Sequence, residues 1–307
     1  MSSVIEAHEV ARWYGQVVGL NDLSVNIGGG ITGLLGPNGA GKTTFLRLIA
    51  GELKPSRGSL RVLGKDPFAN RELFREIGFC PQQDALYEDM TAQAFVTLLM
   101  RFHGFDHREA AERAKTALER VGLGASSGRR VSEFSKGMRQ RVRLAQSIGH
   151  SPKLLVVDEP WTGLDPIGRK ETIALFKDLA QSGVHVVVSS HVLHEVEALT
   201  ESIVLFHRGR LLAQGTVREI RQLLDKHPRR VRIRADQGRR LARSLIEFEE
   251  VASIQLDDED RKLTVETRDV DSFFGRLTEA AALSPCGIRA MESMDDGLES
   301  VFDYLVE

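Results

Sequence analysis

Short, unbroken apolar runs alternate with longer stretches in which apolar residues recur every three or four positions. Ile31–Leu35, Leu154–Val157 and residues 184–188 are such runs. Runs without alternation mark strands buried on both faces of a parallel sheet. The stretches between them carry helical periodicity, as an α/β fold requires. One helix is signalled at its start by Asp106 with Glu109 three residues later, and at its end by Gly122. Ala110, Ala114, Leu118 and Val121 fall on one of its faces. From Thr91 to Gly149 no convincing strand appears, which predicts a helical subdomain over about residues 88–150 inserted in the α/β domain.

The pattern changes near Lys226-His227-Pro228. A short helical segment, residues 218–224, precedes this point. After it the sequence reads strand (230–235), helix (239–248), strand (251–256), strand (262–267), helix (270–281) and strand (287–292). This βαββαβ order is the split-βαβ arrangement and suits about 80 residues. A last helix is marked by Asp296 with Glu299, and Leu298, Val301, Phe302 and Leu305 share one face of it. The expected organisation is an α/β domain over residues 1–225 and a small α+β domain over residues 228–307.

Composition narrows the possibilities. With 42% hydrophobic and 27% charged residues, the 307-residue chain can build a sizeable core and is no disordered segment. Lys plus Arg number 41 against 43 Asp plus Glu, so no general attraction to nucleic acid or anionic lipid is expected. Two cysteines, Cys80 and Cys286, exclude a disulfide scaffold and favour a reducing compartment. No run approaches the roughly 18 apolar residues of a membrane span. Glu6, His8 and Glu9 fall where a signal peptide would be apolar, so any membrane connection is expected through a partner. Seven arginines within residues 229–243 and the acidic turn Asp257-Asp258-Glu259-Asp260 read as solvated surface, the alternative being a partner-binding or lipid-facing patch.

The chemistry lies in Gly36-Pro37-Asn38-Gly39-Ala40-Gly41-Lys42-Thr43, which matches G-x-x-x-x-G-K-[ST], the P-loop. It follows the Ile31–Leu35 strand and opens a helix expected at residues 44–50, the context the motif needs. Gly36, Gly39 and Gly41 let backbone N–H groups converge on a phosphate, and a helix N-terminus favours the anion. Lys42 is placed to reach the β- and γ-phosphates, and the Thr43 hydroxyl to ligate Mg²⁺. Leu154–Val157 ends in Asp158 and Glu159. A carboxylate at the carboxyl end of a parallel strand lies where open α/β sheets bind ligands. Asp158 suits support of Mg²⁺ in phosphoryl transfer, and Glu159 suits a general base toward water.

Between the two motifs lies Phe134-Ser135-Lys136-Gly137-Met138-Arg139-Gln140-Arg141, which resembles the signature sequence of ATP-binding-cassette (ABC) ATPases. Other motifs of that family stand in its order. Tyr14 before Gly15 resembles the adenine-stacking aromatic, and Gln82 after Pro81 resembles the glutamine loop. Gly163-Leu164-Asp165 resembles the D-loop, and His191 after Ser189-Ser190 resembles the switch histidine. The resemblance implies a homodimer of cassettes sandwiching two ATP molecules. The nucleotide would be held by Tyr14, the P-loop through Thr44, and the partner's Ser135 and Gly137. It implies Glu159, His191 and Gln82 in catalysis, Thr43, Gln82 and Asp158 at Mg²⁺, and Asp165 working across the interface.

Departures are Phe134, Lys136 and Met138 within the signature, and Trp161 after Asp-Glu-Pro. Composition and spacing give no account of Trp161. The Phe-Ser-Lys-Gly-Met form resembles the branch whose ATPase chains pair with separate exporter-type permease subunits, and the C-terminal domain resembles an accessory domain found there. The implied function is an ATP-hydrolysing subunit at the cytoplasmic face of the membrane, driving export. The alternative is a soluble cassette ATPase acting on nucleic acid or ribosomes. Such chains usually carry two cassettes or a long coiled-coil insertion, and this chain has one motif set and no sustained heptads.

Overall fold

The computed structural model describes residues 3–83, 86–220, 229–257, 261–283 and 286–293. Two compact units divide the chain, residues 1–216 and 217–307. In chain order the first begins with β1 (Ile5–Tyr14), β2 (Val17–Ile27), β3 (Ile31–Leu35), α1 (Lys42–Ile49), β4 (Arg57–Val62), α2 (Arg71–Phe74) and β5 (Ile77–Cys80). It continues with α3 (Ala92–Phe102), α4 (His107–Arg120), α5 (Lys136–Ile148), β6 (Leu154–Val157) and α6 (Pro166–Gln181). It closes with β7 (His185–Ser190), α7 (Leu193–Glu197), β8 (Ser202–His207) and β9 (Arg210–Thr216).

Six strands form the central sheet in the order β5-β6-β7-β3-β8-β9. The first five run parallel, and β9 pairs antiparallel at the edge. The unbroken apolar runs have the cause read from the sequence. Leu155 and Val157 of β6 pack with α3, α4, α5 and α6, while Leu154 and Val156 pack on the opposite face with α1 and the N-terminal strands. That second face is closed by an antiparallel sheet, β2-β1-β4, which the sequence reading did not identify. β1 is broken by register shifts and by Glu9 at φ 48°, so its alternation never runs clean.

The helical subdomain consists of α3, α4 and α5. Asp106 caps α4 by accepting from the Glu109 N–H, and Gly122 closes it at φ 75°, as the sequence signals predict. Two corrections concern boundaries. The helix after the P-loop starts at Lys42 rather than residue 44, because Gly41 at φ 102° already turns the chain. The run at residues 184–188 forms a strand from His185 to Ser190, which carries two serines up to the site.

The second unit contains β10 (Arg229–Ala235), α8 (Gly238–Leu245), β11 (Val251–Leu256), β12 (Lys262–Thr267), α9 (Val270–Leu283) and β13 (Ile288–Ser293). The sheet order β11-β12-β10-β13, antiparallel throughout, is the split-βαβ arrangement. Val231, Ile233, Leu241, Leu245, Leu263, Val265, Phe273 and Leu277 form its own core. The helix expected from Asp296, the acidic turn beyond Asp257 and most of the segment at residues 218–224 lie outside the described residues.

Candidate functional site

Four neighbouring parallel strands deliver the motif residues to one edge of the sheet. β3 runs into Gly36, β6 into Asp158, β7 into His191, and β5 ends two residues before Gln82. The P-loop is cut to this place by its glycines. A Cβ built on Gly36 would lie 2.5 Å from the Phe206 carbonyl, and one on Gly41 2.7 Å from the Gly19 carbonyl. The Gly36 N–H donates to the Ser190 carbonyl at 3.3 Å, tying the loop to β7. No acidic residue occupies the first turn of α1, and Gly41 offers no side-chain cap. The positive end of that helix is therefore left for an anion.

Lys42 is buried, and its Nζ donates to the Gly36 carbonyl at 2.5 Å and the Pro37 carbonyl at 3.2 Å. It lies 3.4 Å from Glu159 Oε1. Burial pushes the Lys42 pKa below the usual lysine value, and the neighbouring carboxylates Glu159 and Asp158 oppose that shift. Glu159 is the centre of the cluster. Its Oε2 lies 2.9 Å from His191 Nδ1, and only 7% of its side chain is exposed.

Ser189, which sequence reasoning missed, braces both carboxylates. Its Oγ donates to Asp158 Oδ1 at 2.6 Å and accepts from the Glu159 N–H at 2.9 Å. Ser190 donates to Glu195 at 2.8 Å and accepts from the Val192 N–H, anchoring the turn that carries His191. Two hydroxyls at the carboxyl end of a parallel strand were the available signal.

The other motif residues spread around this centre. Thr43 is exposed and Thr44 partly exposed on the first turn of α1. Tyr14 is 40% exposed; the Arg12 guanidinium lies 5.1 Å from its ring centroid. Its edge is so close to Gly19 that a Cβ there would lie 2.8 Å away. Gln82 is exposed, and its carbonyl accepts from Arg143 Nη1 at 2.8 Å. Ser135 caps α5, accepting from the Met138 N–H at 3.3 Å. Gly137 lies against Gly163 and Leu164 of the D-loop, and the Lys136 stem lies over Gly163. Asp165 caps α6 through the Gly168 N–H at 2.8 Å, a local task the motif alone did not reveal. Trp161 is 2% exposed and belongs to the core shared by α3, α5 and α6, with Nε1 unpaired. Cys80 is buried as a packing residue, its thiol pushed up to about 12 chiefly by burial.

The donor set fits Mg²⁺ only as a companion of phosphate. Thr43 and Asp158 offer oxygen, the ligand class this ion takes. Among the described residues no group of three or more His, Cys, Asp or Glu could hold a metal by itself. An ion here would draw its remaining ligands from nucleotide phosphates and water, as Mg²⁺ commonly does.

Comparison with known proteins places the chain. The family model described as ABC transporter matches residues 20–162. The uncharacterized ABC transporter ATP-binding protein YxlF of Bacillus subtilis (strain 168) is 40% identical over 189 residues, 62% of this chain and 62% of its own length. The bacitracin transport ATP-binding protein BcrA of Bacillus licheniformis is 36% identical over 217 residues, 70% of either chain. The daunorubicin/doxorubicin resistance ATP-binding protein DrrA of Streptomyces peucetius is 30% identical over 300 residues, 97% of this chain and 91% of its own. Among solved structures, an ATP-binding subunit of an ABC transporter aligns with a TM-score of 0.65 at 27% identity, covering 72% of this chain and 93% of its own. The dimeric bacterial ABC transporter cassette MJ0796 gives 0.64 at 25% identity, covering 69% and 98%.

Proposed function

The chain belongs to the ATP-binding subunits of ABC transporters, and from that premise we propose that it hydrolyses Mg-ATP to drive export through separate membrane subunits. One observation carries the reading. Glu159 is held between Lys42 and His191 at the sheet edge where the P-loop, Asp158 and Gln82 also end.

In this reading the backbone N–H groups of the P-loop and the Lys42 ammonium bind the phosphates, and Thr43 and Asp158 hold Mg²⁺, which offsets phosphate charge. Glu159 takes a proton from the water that attacks the γ-phosphorus as the bond to ADP breaks. His191 fixes the Glu159 carboxylate, and Ser189 fixes Asp158. Tyr14 stacks on the adenine. Ser135 and Gly137, exposed or half-exposed at the start of α5, face the γ-phosphate bound by a second copy, with Asp165 beside them.

Among the described residues no helix is long and apolar enough to cross a membrane, so the proposed place at the cytoplasmic face depends on permease subunits. Export is favoured by the relatives, one described as a bacitracin transport protein and one as a drug-resistance protein. The nucleic-acid or ribosome alternative has no counterpart among those relatives. Lys42→Ala and Asp158→Asn are each expected to abolish steady-state ATPase activity of the purified chain. Retention of most of the turnover by either variant would contradict the assignment.

A further inference from the structure

Side chains from one face of α5, and from the turn that follows it, reach the same strand or the segment just beyond its end. His150 Nε2 lies 3.0 Å from the Ile77 carbonyl, and Gln146 Nε2 donates to the Phe79 carbonyl at 3.1 Å. Gln140 Nε2 contacts the Cys80 sulfur at 3.9 Å. Arg143 Nη1 donates to the Gln82 carbonyl at 2.8 Å, and its Nη2 donates to Gln140 Oε1. The helix rests directly on β5: a Cβ built on Gly78 would lie 2.0 Å from the Ser147 carbonyl.

Most of this has a structural reason. β5 is an edge strand, and among the described residues its one strand neighbour is β6. The Glu76 and Cys80 carbonyls accept from the Leu154 and Asp158 N–H groups on the β6 side. By the period-two alternation of a strand, the Ile77 and Phe79 carbonyls face the open edge. Buried edge groups need partners, and His150 and Gln146 supply them where the next strand would lie.

Arg143 does not fit that explanation. Its target is beyond the end of β5, on an exposed residue outside the sheet. Yet Arg143 itself is only 5% exposed, and burying a guanidinium is costly unless its hydrogen bonds are made. The same side chain ties Gln140 of the signature helix to the first residue of the glutamine loop.

Resting on the place in catalysis and at Mg²⁺ that the family resemblance implies for Gln82, we propose that Arg143 is a positioning residue that fixes the glutamine loop to the signature helix of the same subunit. Gln82 is thereby held in register with Ser135, two turns away at the start of α5. A movement of that helix on meeting the partner's nucleotide passes to Gln82 through the Arg143 side chain.

The test is a double-mutant cycle on steady-state ATPase activity, with melting temperature measured alongside. Arg143→Met keeps the stem and removes the donors. We expect kcat to fall about tenfold with KM for ATP nearly unchanged, and Gln82→Ala to lose a similar factor. The double variant should fall no further than either single one. Arg143→Lys, which can reach one acceptor but not two, should recover part of the loss and repeats the cycle if the methionine variant folds poorly. Gln146→Leu, lower on the strand, should reduce the melting temperature and leave kcat within about twofold. Losses that multiply in the double variant, wild-type kcat in Arg143→Met, or an equal loss in Gln146→Leu would overturn the proposal. Those results would leave the ATPase reading standing, since that reading falls only if Lys42→Ala remains active.

Discussion

Glu159 sits at φ 48°, a left-handed conformation that costs a side-chain-bearing residue on the order of 1 kcal/mol or more. The Ser189 hydroxyl on its N–H and the His191 ring on its carboxylate hold it there. His191→Ala should remove the hold on the carboxylate and lower kcat by roughly 10²-fold, the lower range for loss of proton-transfer competence, with ATP binding retained. Equilibrium binding of a fluorescent ATP analogue and a turnover assay separate the two effects. Unchanged turnover would show that Glu159 needs no partner at this position.

At this scale the P-loop was legible because its requirement is local: glycines where Cβ atoms would strike Phe206 and Gly19 backbone. Asp158 and Glu159 were legible from the strand before them. Ser189 was marked only as one of two hydroxyls at the end of a strand, since the sequence does not tell that β7 will lie beside the end of β6. Trp161 was opaque for the same reason; it packs into a core assembled from residues far apart in the sequence.

Among elements, α5 is tied to the edge strand β5, and the turn that follows it carries a pH-dependent contact. His150 is packed against Ile77, its ring stacked on His103 with centroids 3.9 Å apart, and Arg113 is near. Burial, with the neighbouring His103 and Arg113 charges, pushes the His150 pKa down from 6.5 to about 4, and burial lowers His103 as well. The unfolded chain takes up the His150 proton below 6.5, and the folded chain does so only near 4. Stability present above pH 6.5 is therefore lost as pH falls toward 4, by up to about 3 kcal/mol. The melting temperature of the nucleotide-free chain should drop over that interval, and His150→Gln should flatten the drop. An unchanged pH profile in His150→Gln would assign the acid sensitivity elsewhere.

The strands of the second unit fell within one residue of their expected starts and ends, helped in β10 and β12 by alternation of buried and more exposed positions. The N-terminal antiparallel sheet escaped notice. Its bulges at Ala7/Val10 and His8/Ala11 shift which side chains point inward, and alternation is the signal that bulges erase.

For the molecule as a whole, every motif residue lies in the 1–216 unit, and the second unit has its own core. A chain ending near residue 224 should therefore bind ATP with nearly full affinity. We expect it to associate less readily without nucleotide, since the second unit resembles an accessory domain. Sedimentation of both chains without ATP checks this, and equal association constants would remove a dimerising role.

The central claim is that Glu159 activates water in a site completed by a second copy. Glu159→Gln keeps the shape of the side chain and removes its proton acceptance. Size-exclusion chromatography of that variant in Mg-ATP, with bound nucleotide quantified, tests the claim most directly. The expected result is a dimer-sized peak carrying two unhydrolysed ATP molecules, with turnover reduced roughly 10²–10⁴-fold. A monomer-sized peak with ATP bound, or undiminished turnover, would contradict it.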